Sequence, residues 1–146
     1  MRTPARILIA DDYPDNLEIL RVRLGEHGYE VITATDGVEA LALAKETQPD
    51  LLLLDIMMPK MDGVEVCRRI KADESFPFIP IIMVTAKTGA QNVITALEAG
   101  ADEYLSKPVD HAALVARVKS MLRIKELTDT VQAQSDQLRK WNETLE

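Results

Sequence analysis

Four consecutive leucines at residues 51–54 form an unbroken apolar run, and this run ends at Asp55. Turn-forming residues follow within a few positions, among them Pro59 and Gly63. A short apolar run bounded by turn residues predicts a strand that is buried on both faces, as in the middle of a parallel sheet. Asp55 is then the first residue beyond the carboxyl end of that strand. Open α/β sheets bind their ligands at this edge.

Other apolar segments alternate with segments of helical periodicity along the chain. We expect strands at residues 6–10, 29–34, 51–54, 81–84 and 101–105. The first helix is predicted to begin at Pro14 with Asp12 as its cap, and the helix after the third strand is expected over about 64–73. Five strands alternating with five helices imply right-handed crossovers and a parallel sheet that is covered on both faces.

The last helical segment is longer than a small sheet requires. Neither glycine nor proline occurs between Asp110, its predicted N-cap, and Glu146. A continuous helix over this stretch would be about 55 Å long. From Ile124 the apolar residues follow a heptad, with residues 124, 131, 138 and 145 at position a and residues 127, 134 and 141 at position d. This pattern favours a parallel two-stranded coiled coil over 124–146, after a domain that spans 1–123.

The a and d positions of this heptad are called the seam below. Its flanking e and g positions are neutral and comprise Thr128, Thr130, Ser135, Gln137, Asn142 and Thr144. They select no partner by charge, and Gln134 at a d position weakens the apolar contact, so we expect a weak and adjustable homodimer. The alternative is a solvated helical tail that is ordered only in part.

Composition narrows the range of functions. With 146 residues, 47% apolar and 28% charged, the chain is sized for one soluble domain plus this helical extension. The net charge of −7 argues against a nucleic-acid-binding surface. The single cysteine, Cys67, excludes a disulfide framework within the chain. No apolar run is long enough for a signal peptide or a membrane span, so we expect a cytoplasmic protein that does not bind a membrane.

Polar residues stand at the carboxyl ends of four predicted strands: Asp11 and Asp12, Asp55, Thr85, and Lys107. Three carboxylates within about 4 to 5 Å would repel by about 4 kcal/mol per pair at an effective dielectric constant near 20. One lysine does not offset this repulsion, so a divalent cation is expected. An all-oxygen site with room for water suits Mg²⁺ better than zinc. Such a cation beside a carboxylate nucleophile is suited to phosphoryl transfer.

These residues, in this order, resemble the receiver domain of two-component response regulators. The resemblance covers Arg6 to about Arg123 and rests on Asp11-Asp12, the Asp55 to Pro59 turn with Asp62-Gly63, Thr85-Ala86, Tyr104, and Lys107-Pro108. It implies an α/β fold of the flavodoxin-like, doubly wound type. Five parallel strands would lie in the order 2-1-3-4-5 with five helices, the last of them extended.

The resemblance also implies a phosphorylation site. Asp55 would accept a phosphoryl group from a phosphohistidine of a sensor histidine kinase or phosphotransfer protein. Mg²⁺ would be held by Asp12, Asp55 and the backbone carbonyl of Met57, with Asp11 acting largely through water. Lys107 would pair with the phosphoryl oxygens, and its bond to Pro108 would be cis.

A switch is part of the same resemblance. The Thr85 hydroxyl would be drawn towards the phosphoryl group, and Tyr104 would turn inward into the vacated space. Met57 and Lys87 occupy positions that vary in the family and tune the phosphate lifetime, but neither side chain indicates a particular rate. The coil would transmit the change to an output domain, and its helical type is similar to linkers that precede nucleotide cyclases, diguanylate cyclases or sensor kinases.

Three other functions compete with a phosphorylated receiver. A receiver-like dimerisation module that is silent to phosphorylation is disfavoured because all the chemical residues are present. An aspartyl-phosphate phosphatase usually has a second acid two residues after the nucleophile, where this chain has Met57. A flavin-binding module would need a phosphate-cradling loop after the first strand, and Asp15 in that loop would repel a phosphate. We therefore expect a signalling domain and not a turnover enzyme.

Overall fold

A computed structural model describes residues 2–86 and 89–145, and its centre is a five-stranded parallel sheet. The strands are β1 (Arg6–Ala10), β2 (Glu30–Ala34), β3 (Leu51–Leu54), β4 (Ile81–Thr85) and β5 (Glu103–Ser106). The helices are α1 (Pro14–Glu26), α2 (Gly37–Thr47), α3 (Gly63–Ala72), α4 (Ala90–Glu98) and α5 (His111–Leu145). The strand order β2-β1-β3-β4-β5 confirms the predicted topology. Lys87, Glu146 and the side chains of Thr144 and Leu145 lie outside what the structure describes.

The sheet separates two apolar layers because side chains alternate between its faces along each strand. On one face Leu8, Leu52 and Leu54 pack against α2, α3 and α4. On the other face Ile7 and Leu53, with their neighbours, pack against α1 and α5. The four leucines of β3 are all at most 1% exposed. The continuous leucine run is therefore explained by burial on both faces, as predicted.

The start of β5 differs from the prediction. β5 begins at Glu103 and not at residue 101, because the preceding residues terminate α4. Gly100 has a positive φ of +106°, and the Ala101 N–H donates to the Ala96 carbonyl at 3.1 Å. This six-residue bond is the helix-ending Schellman arrangement. Asp102 also precedes β5, and its carboxylate accepts the N–H of Ile81 at the start of β4 at 2.8 Å.

The predicted cap of α1 is wrong. The N-cap is Tyr13, and no side chain caps this helix end. The Asp12 side chain is exposed and remains outside the helix, whereas Asp11 accepts the Tyr13 N–H at 2.9 Å. A predicted cap at Asp110 is present, because its carboxylate accepts the Ala113 N–H at 2.9 Å.

Helix α5 runs without interruption from the sheet into the predicted coil region. Its residues Leu114, Val118 and Leu122 are buried against the sheet, whereas seam residues are exposed along the extension. The exposed fractions are 42% at Ile124, 60% at Leu127, 64% at Val131, 61% at Leu138 and 62% at Trp141. The seam is therefore an apolar stripe that this chain does not cover. Within residues 2–86 and 89–145, no helix is long and apolar enough to cross a membrane.

Cys67 on α3 provides a test of the packing. Its thiol is fully buried, and Sγ lies 3.5 Å from the Ala99 carbonyl oxygen. Burial raises the pKa of the Cys67 thiol to about 11. Because the thiolate is the reactive form, we expect iodoacetamide at pH 8 to label the native protein at least about 100-fold more slowly than the protein in denaturant. Mass spectrometry against time measures both rates, and equal rates would contradict the packing of α3 on the sheet.

Candidate functional site

The backbone places three of the candidate side chains at the carboxyl edge of the sheet. Ladder hydrogen bonds continue one residue beyond the strand ends: the Asp11 N–H donates to Ala34, the Asp55 N–H to Ala10 and the Lys107 N–H to Thr85. These bonds are 2.9 to 3.1 Å long. Each residue is therefore fixed by a neighbouring strand although it lies outside its own strand. This rigidity keeps the side chains at one edge.

The three aspartates form one acidic cluster. Asp11, Asp12 and Asp55 each offer a carboxylate oxygen, and these oxygens lie within 4.8 Å of one another. Asp11 is 2% exposed and Asp55 is 7% exposed, whereas Asp12 faces solvent. The cluster therefore combines two desolvated carboxylates with one at an open side. The proximity of the three carboxylates agrees with the prediction that they follow the ends of neighbouring parallel strands.

Lys107 is the cation of this cluster. Its Nζ donates to Asp11 Oδ2 at 2.6 Å and to Asp55 Oδ2 at 3.1 Å. Burial alone would lower the pKa of the Lys107 ammonium, but hydrogen bonds and charge from Asp11 and Asp55 together raise it above its ordinary value. One ammonium thus bridges two buried carboxylates. The Lys107–Pro108 peptide bond is cis, as the resemblance implies.

Backbone amides orient the other oxygens of the buried carboxylates. Asp11 Oδ1 accepts the Tyr13 N–H at 2.9 Å, and Asp55 Oδ1 accepts the Met57 N–H at 3.3 Å. Each carboxylate is thus held by an amide two residues ahead and by Lys107 on its other oxygen. Met57 itself is 54% exposed. The sequence motif places both turns, but it does not show that their amides hold the carboxylates.

The loop after Asp55 returns to touch Asp55 itself. The Gly63 N–H donates to the Ile56 carbonyl at 2.9 Å, and a Cβ on Gly63 would lie 2.2 Å from the Asp55 carbonyl oxygen. At the outer side of the loop, Lys60 Nζ lies 3.6 Å from Asp36 Oδ2. From the sequence, Gly63 is predicted only as a turn residue, and its close approach to the Asp55 backbone is visible only in the fold.

Thr85 and Tyr104 lie on neighbouring strands next to the acidic cluster. Thr85 ends β4 and is 1% exposed. Tyr104 pairs with Met83 in the sheet and packs on the layer beneath α2, α3 and α4. The Tyr104 hydroxyl is buried and has no hydrogen-bond partner in the described structure. Burial raises its pKa, and the charge of Asp55 raises it further.

The Tyr104 ring packs on an apolar layer, and its hydroxyl is buried. The switch that the resemblance implies, in which this ring turns inward after phosphorylation, stays a prediction. The apolar layer explains the position of the ring, because the ring gains burial there. This position leaves the hydroxyl unsatisfied, which disfavours it by about 1 to 3 kcal/mol. The two effects oppose each other.

Comparison with known families agrees with this geometry. The family described as response regulator receiver domain matches residues 7–119, which include the acidic cluster, Thr85 and Lys107. The chain belongs to this family. It is therefore a signalling domain of two-component systems, and receivers interact with histidine kinases or phosphotransfer proteins.

Relatives of known name share this receiver. The response regulator PleD of Caulobacter vibrioides is 46% identical over 125 residues, which cover 86% of this chain and 28% of PleD. The DNA-binding response regulator MtrA of Mycolicibacterium smegmatis is 45% identical, over 83% of this chain and 52% of MtrA. This chain thus spans from about a quarter to about half of these relatives.

Solved structures show the same fold. The CheY-like receiver domain protein of Methanospirillum hungatei superposes with a TM-score of 0.77 at 37% identity, covering 84% of this chain and 96% of that one. A putative response regulator of Chloroflexus aurantiacus gives 0.77 at 38% identity, over 83% and 99%. The flavodoxin-like fold that the resemblance implies is confirmed.

Receivers bind Mg²⁺ at their acidic pocket, and the donor set of this chain fits such an ion. The cluster offers oxygen ligands only, with carboxylates at 2% and 7% exposure beside an exposed one. Mg²⁺ takes one or two carboxylates and retains water, for which the open side at Asp12 has room. The single Lys107 charge leaves the three carboxylates with net negative charge that a divalent cation would neutralise.

The contact between Gly63 and Asp55 predicts the effect of one added methyl group. We expect Gly63→Ala to lower the free energy of unfolding by about 1 to 3 kcal/mol, because the new Cβ must displace the Asp55 backbone. Gly25→Ala is the matched control, since a Cβ there meets nothing within 4 Å and α1 favours alanine. Urea unfolding followed by circular dichroism measures both. Equal stability of the two variants would show that the loop tolerates the methyl group.

Proposed function

We propose that Asp55 accepts a phosphoryl group from a phosphohistidine of a partner kinase or phosphotransfer protein, and that the extended α5 passes the change to an output domain. The observation that carries this proposal is the Asp55 carboxylate at the end of the buried strand β3, beside two further carboxylates and the Lys107 ammonium. A buried strand supplies a fixed nucleophile. The exposed Asp12 side of the cluster supplies access.

The reaction moves one phosphoryl group between two protein side chains. An Asp55 oxygen forms a bond to phosphorus while the phosphorus–nitrogen bond of the phosphohistidine breaks. The imidazole nitrogen keeps the electron pair of that bond and takes up a proton. The product is an acyl phosphate on Asp55, which carries more negative charge and more acceptor oxygens than the carboxylate.

Lys107 is placed to respond to that added charge. Its ammonium already lies 3.1 Å from Asp55 Oδ2 and 2.6 Å from Asp11 Oδ2. The bond to Asp11 would keep Lys107 at the site while it exchanges the Asp55 oxygen for a phosphoryl oxygen. We assign Lys107 to the phosphoryl oxygens. The Met57 N–H holds the other Asp55 oxygen, so the carboxylate does not need to be reoriented before attack.

Mg²⁺ is assigned to Asp12, Asp55 and the Met57 carbonyl, with Asp11 acting largely through water. The ion would supply positive charge to neutralise the transferring oxygens. The contribution of the protein is to keep the three carboxylates together in spite of their repulsion, which the ladder bonds of Asp11 and Asp55 achieve.

Thr85 and Tyr104 are assigned to the switch. Thr85 is buried at the end of β4, and the Tyr104 hydroxyl is buried without a partner in the described part of the chain. On this assignment, phosphorylation would draw the Thr85 hydroxyl towards the phosphoryl group and favour the inward position of the Tyr104 ring.

The extension of α5 is assigned to a parallel homodimer through the seam. Five seam side chains from Ile124 to Trp141 are 42% to 64% exposed, so a single chain leaves an apolar stripe, interrupted at Gln134, in water. A second copy of the same helix covers such a stripe by knobs-into-holes packing. The neutral flanking positions allow the two helices to adjust when the receivers change.

Phosphorylation is tested by intact mass after incubation with Mg²⁺ and a small-molecule phosphodonor. We expect the parent chain to gain the mass of one phosphoryl group and Asp55→Asn to gain none, because the amide is not a nucleophile at this site. Asp15→Asn is the matched control, since this exposed acid on α1 lies outside the acidic cluster. It should be phosphorylated like the parent.

Two results would contradict the assignment. A gain of mass by Asp55→Asn would place the phosphoryl group on another residue. No gain by the parent, with Mg²⁺ binding shown by calorimetry, would favour the alternative of a phosphorylation-silent dimerisation module.

The homodimer is tested by a charge in the seam. Val131→Asp places two like charges against each other in a parallel coil, so we expect the dissociation constant of the dimer to rise at least about tenfold. Ala133→Asp adds the same charge two residues away at position c, and it should dimerise like the parent. Sedimentation equilibrium measures both dissociation constants. Equal constants for the two variants would exclude the seam as the interface.

A further inference from the structure

Lys125 is the one buried basic residue among the residues that the structure describes, with 5% of its surface exposed. Its Nζ donates to the Phe78 carbonyl oxygen at 2.7 Å and to Asp129 Oδ1 at 2.9 Å. The next residues on either side, Ile124 and Glu126, are exposed. A buried ammonium is strongly disfavoured unless acceptors surround it, so these bonds define the position in which the helix can lie.

The bond to Phe78 stands where α5 leaves the sheet. Leu122 is the last buried apolar residue of α5 among the described side chains, and Lys125 is buried one turn later. Thr128 and Asp129 are half-buried. Together with Gln132 they line a groove whose other wall is residues 74–78, the connection between α3 and β4. The extension therefore contacts the receiver for two turns beyond the predicted boundary at residue 123.

The acceptor segment is itself braced. Lys71 Nζ lies 4.7 Å from the centre of the Phe78 ring and donates to the Ile79 carbonyl at 2.8 Å. The same ammonium contacts Asp102 at 2.9 Å, and Asp102 accepts the Ile81 N–H. The Phe78 carbonyl is thus fixed by α3 and by the connection from α4 to β5, although it lies outside any helix or strand.

The contacting face of the extension lies opposite the seam. Lys125 and Gln132 fall at heptad position b and Asp129 at position f. At about 100° per residue, positions b and f point away from positions a and d of the same helix. When Lys125 is bound to Phe78, the seam therefore faces away from the receiver and towards solvent, in agreement with its exposure.

We propose that Lys125 is a positioning residue: by binding the Phe78 carbonyl it fixes the direction in which the helix extension leaves the receiver and so directs the seam towards a second copy of this chain. The anchoring does not depend on dimerisation, whereas its use to direct the seam rests on the proposed function. Phe78 lies three residues before β4, whose other end is Thr85, so the anchor joins the extension to the strand that the switch uses.

Hydrogen exchange on the full chain tests the anchor. Lys125→Met keeps the aliphatic stem and removes both bonds of the ammonium. We expect the amides of residues 126–132 to exchange at least about tenfold faster, with the amides of the sheet unchanged. Lys119→Met is the matched control, because Lys119 is exposed on the same helix, and it should exchange like the parent. Equal exchange of residues 126–132 in the two variants would overturn the proposal.

A distance measurement tests the direction of the extension. Spin labels at Glu74→Cys and Ala133→Cys, both exposed positions, report the receiver and the extension within one chain. Dilution with unlabelled parent removes distances between chains, so the result does not depend on the dimer. We expect one narrow distribution in the Lys119→Met background and a broad one with Lys125→Met. A distribution that stays narrow without the ammonium would overturn the proposal, whereas a monomeric parent would contradict only the proposed dimer.

Discussion

The bridge from Lys107 to Asp11 and Asp55 is the interaction on which the carboxyl edge of this sheet depends. The carboxylates of Asp11 and Asp55 are 2% and 7% exposed, and one ammonium contacts both. The three residues follow β1, β3 and β5, so the bridge forms only when these strands lie in the same sheet. Removing Lys107 would leave two buried carboxylates without their cation.

A parallel sheet suits this arrangement because its strands end at the same edge and the hydrogen bonds between strands continue one residue beyond them. Asp11, Asp55 and Lys107 lie beyond their strands, yet each donates its N–H to a neighbouring strand. Their backbones are therefore as fixed as those of strand residues, and only the side chains face the ligand edge. A close glycine contact, between Gly63 and the Asp55 carbonyl, keeps the following loop near the same edge.

The periodic parts of the structure could be predicted from sequence, and the parts that depend on single hydrogen bonds could not. Leucines 51–54 identified a doubly buried strand because burial on both faces requires apolar side chains at consecutive positions. The start of β5 was missed because Ala101 is apolar in either role, and only the Gly100 conformation assigns it to the end of α4. Asp12 was predicted as a cap because aspartate is a frequent cap, but it stays with the acidic cluster. The family motif located the acidic cluster. The burial of the Tyr104 hydroxyl depends on the apolar layer beneath the ring and is visible only in the fold.

Lys125 shows the same limit at the opposite edge of the sheet. In the heptad it reads as an ordinary polar residue at position b, and its acceptor is a backbone carbonyl 47 residues away that no side-chain pattern reveals. Its consequence concerns β4, which has Thr85 at its carboxyl end and follows Phe78 at its amino end. β4 is paired on both sides, by β3 and β5, so its amino end holds a fixed position in the sheet. Phe78 lies three residues before that end and is braced by Lys71, so the buried ammonium ties the direction of the extension to the sheet and not only to the rest of α5.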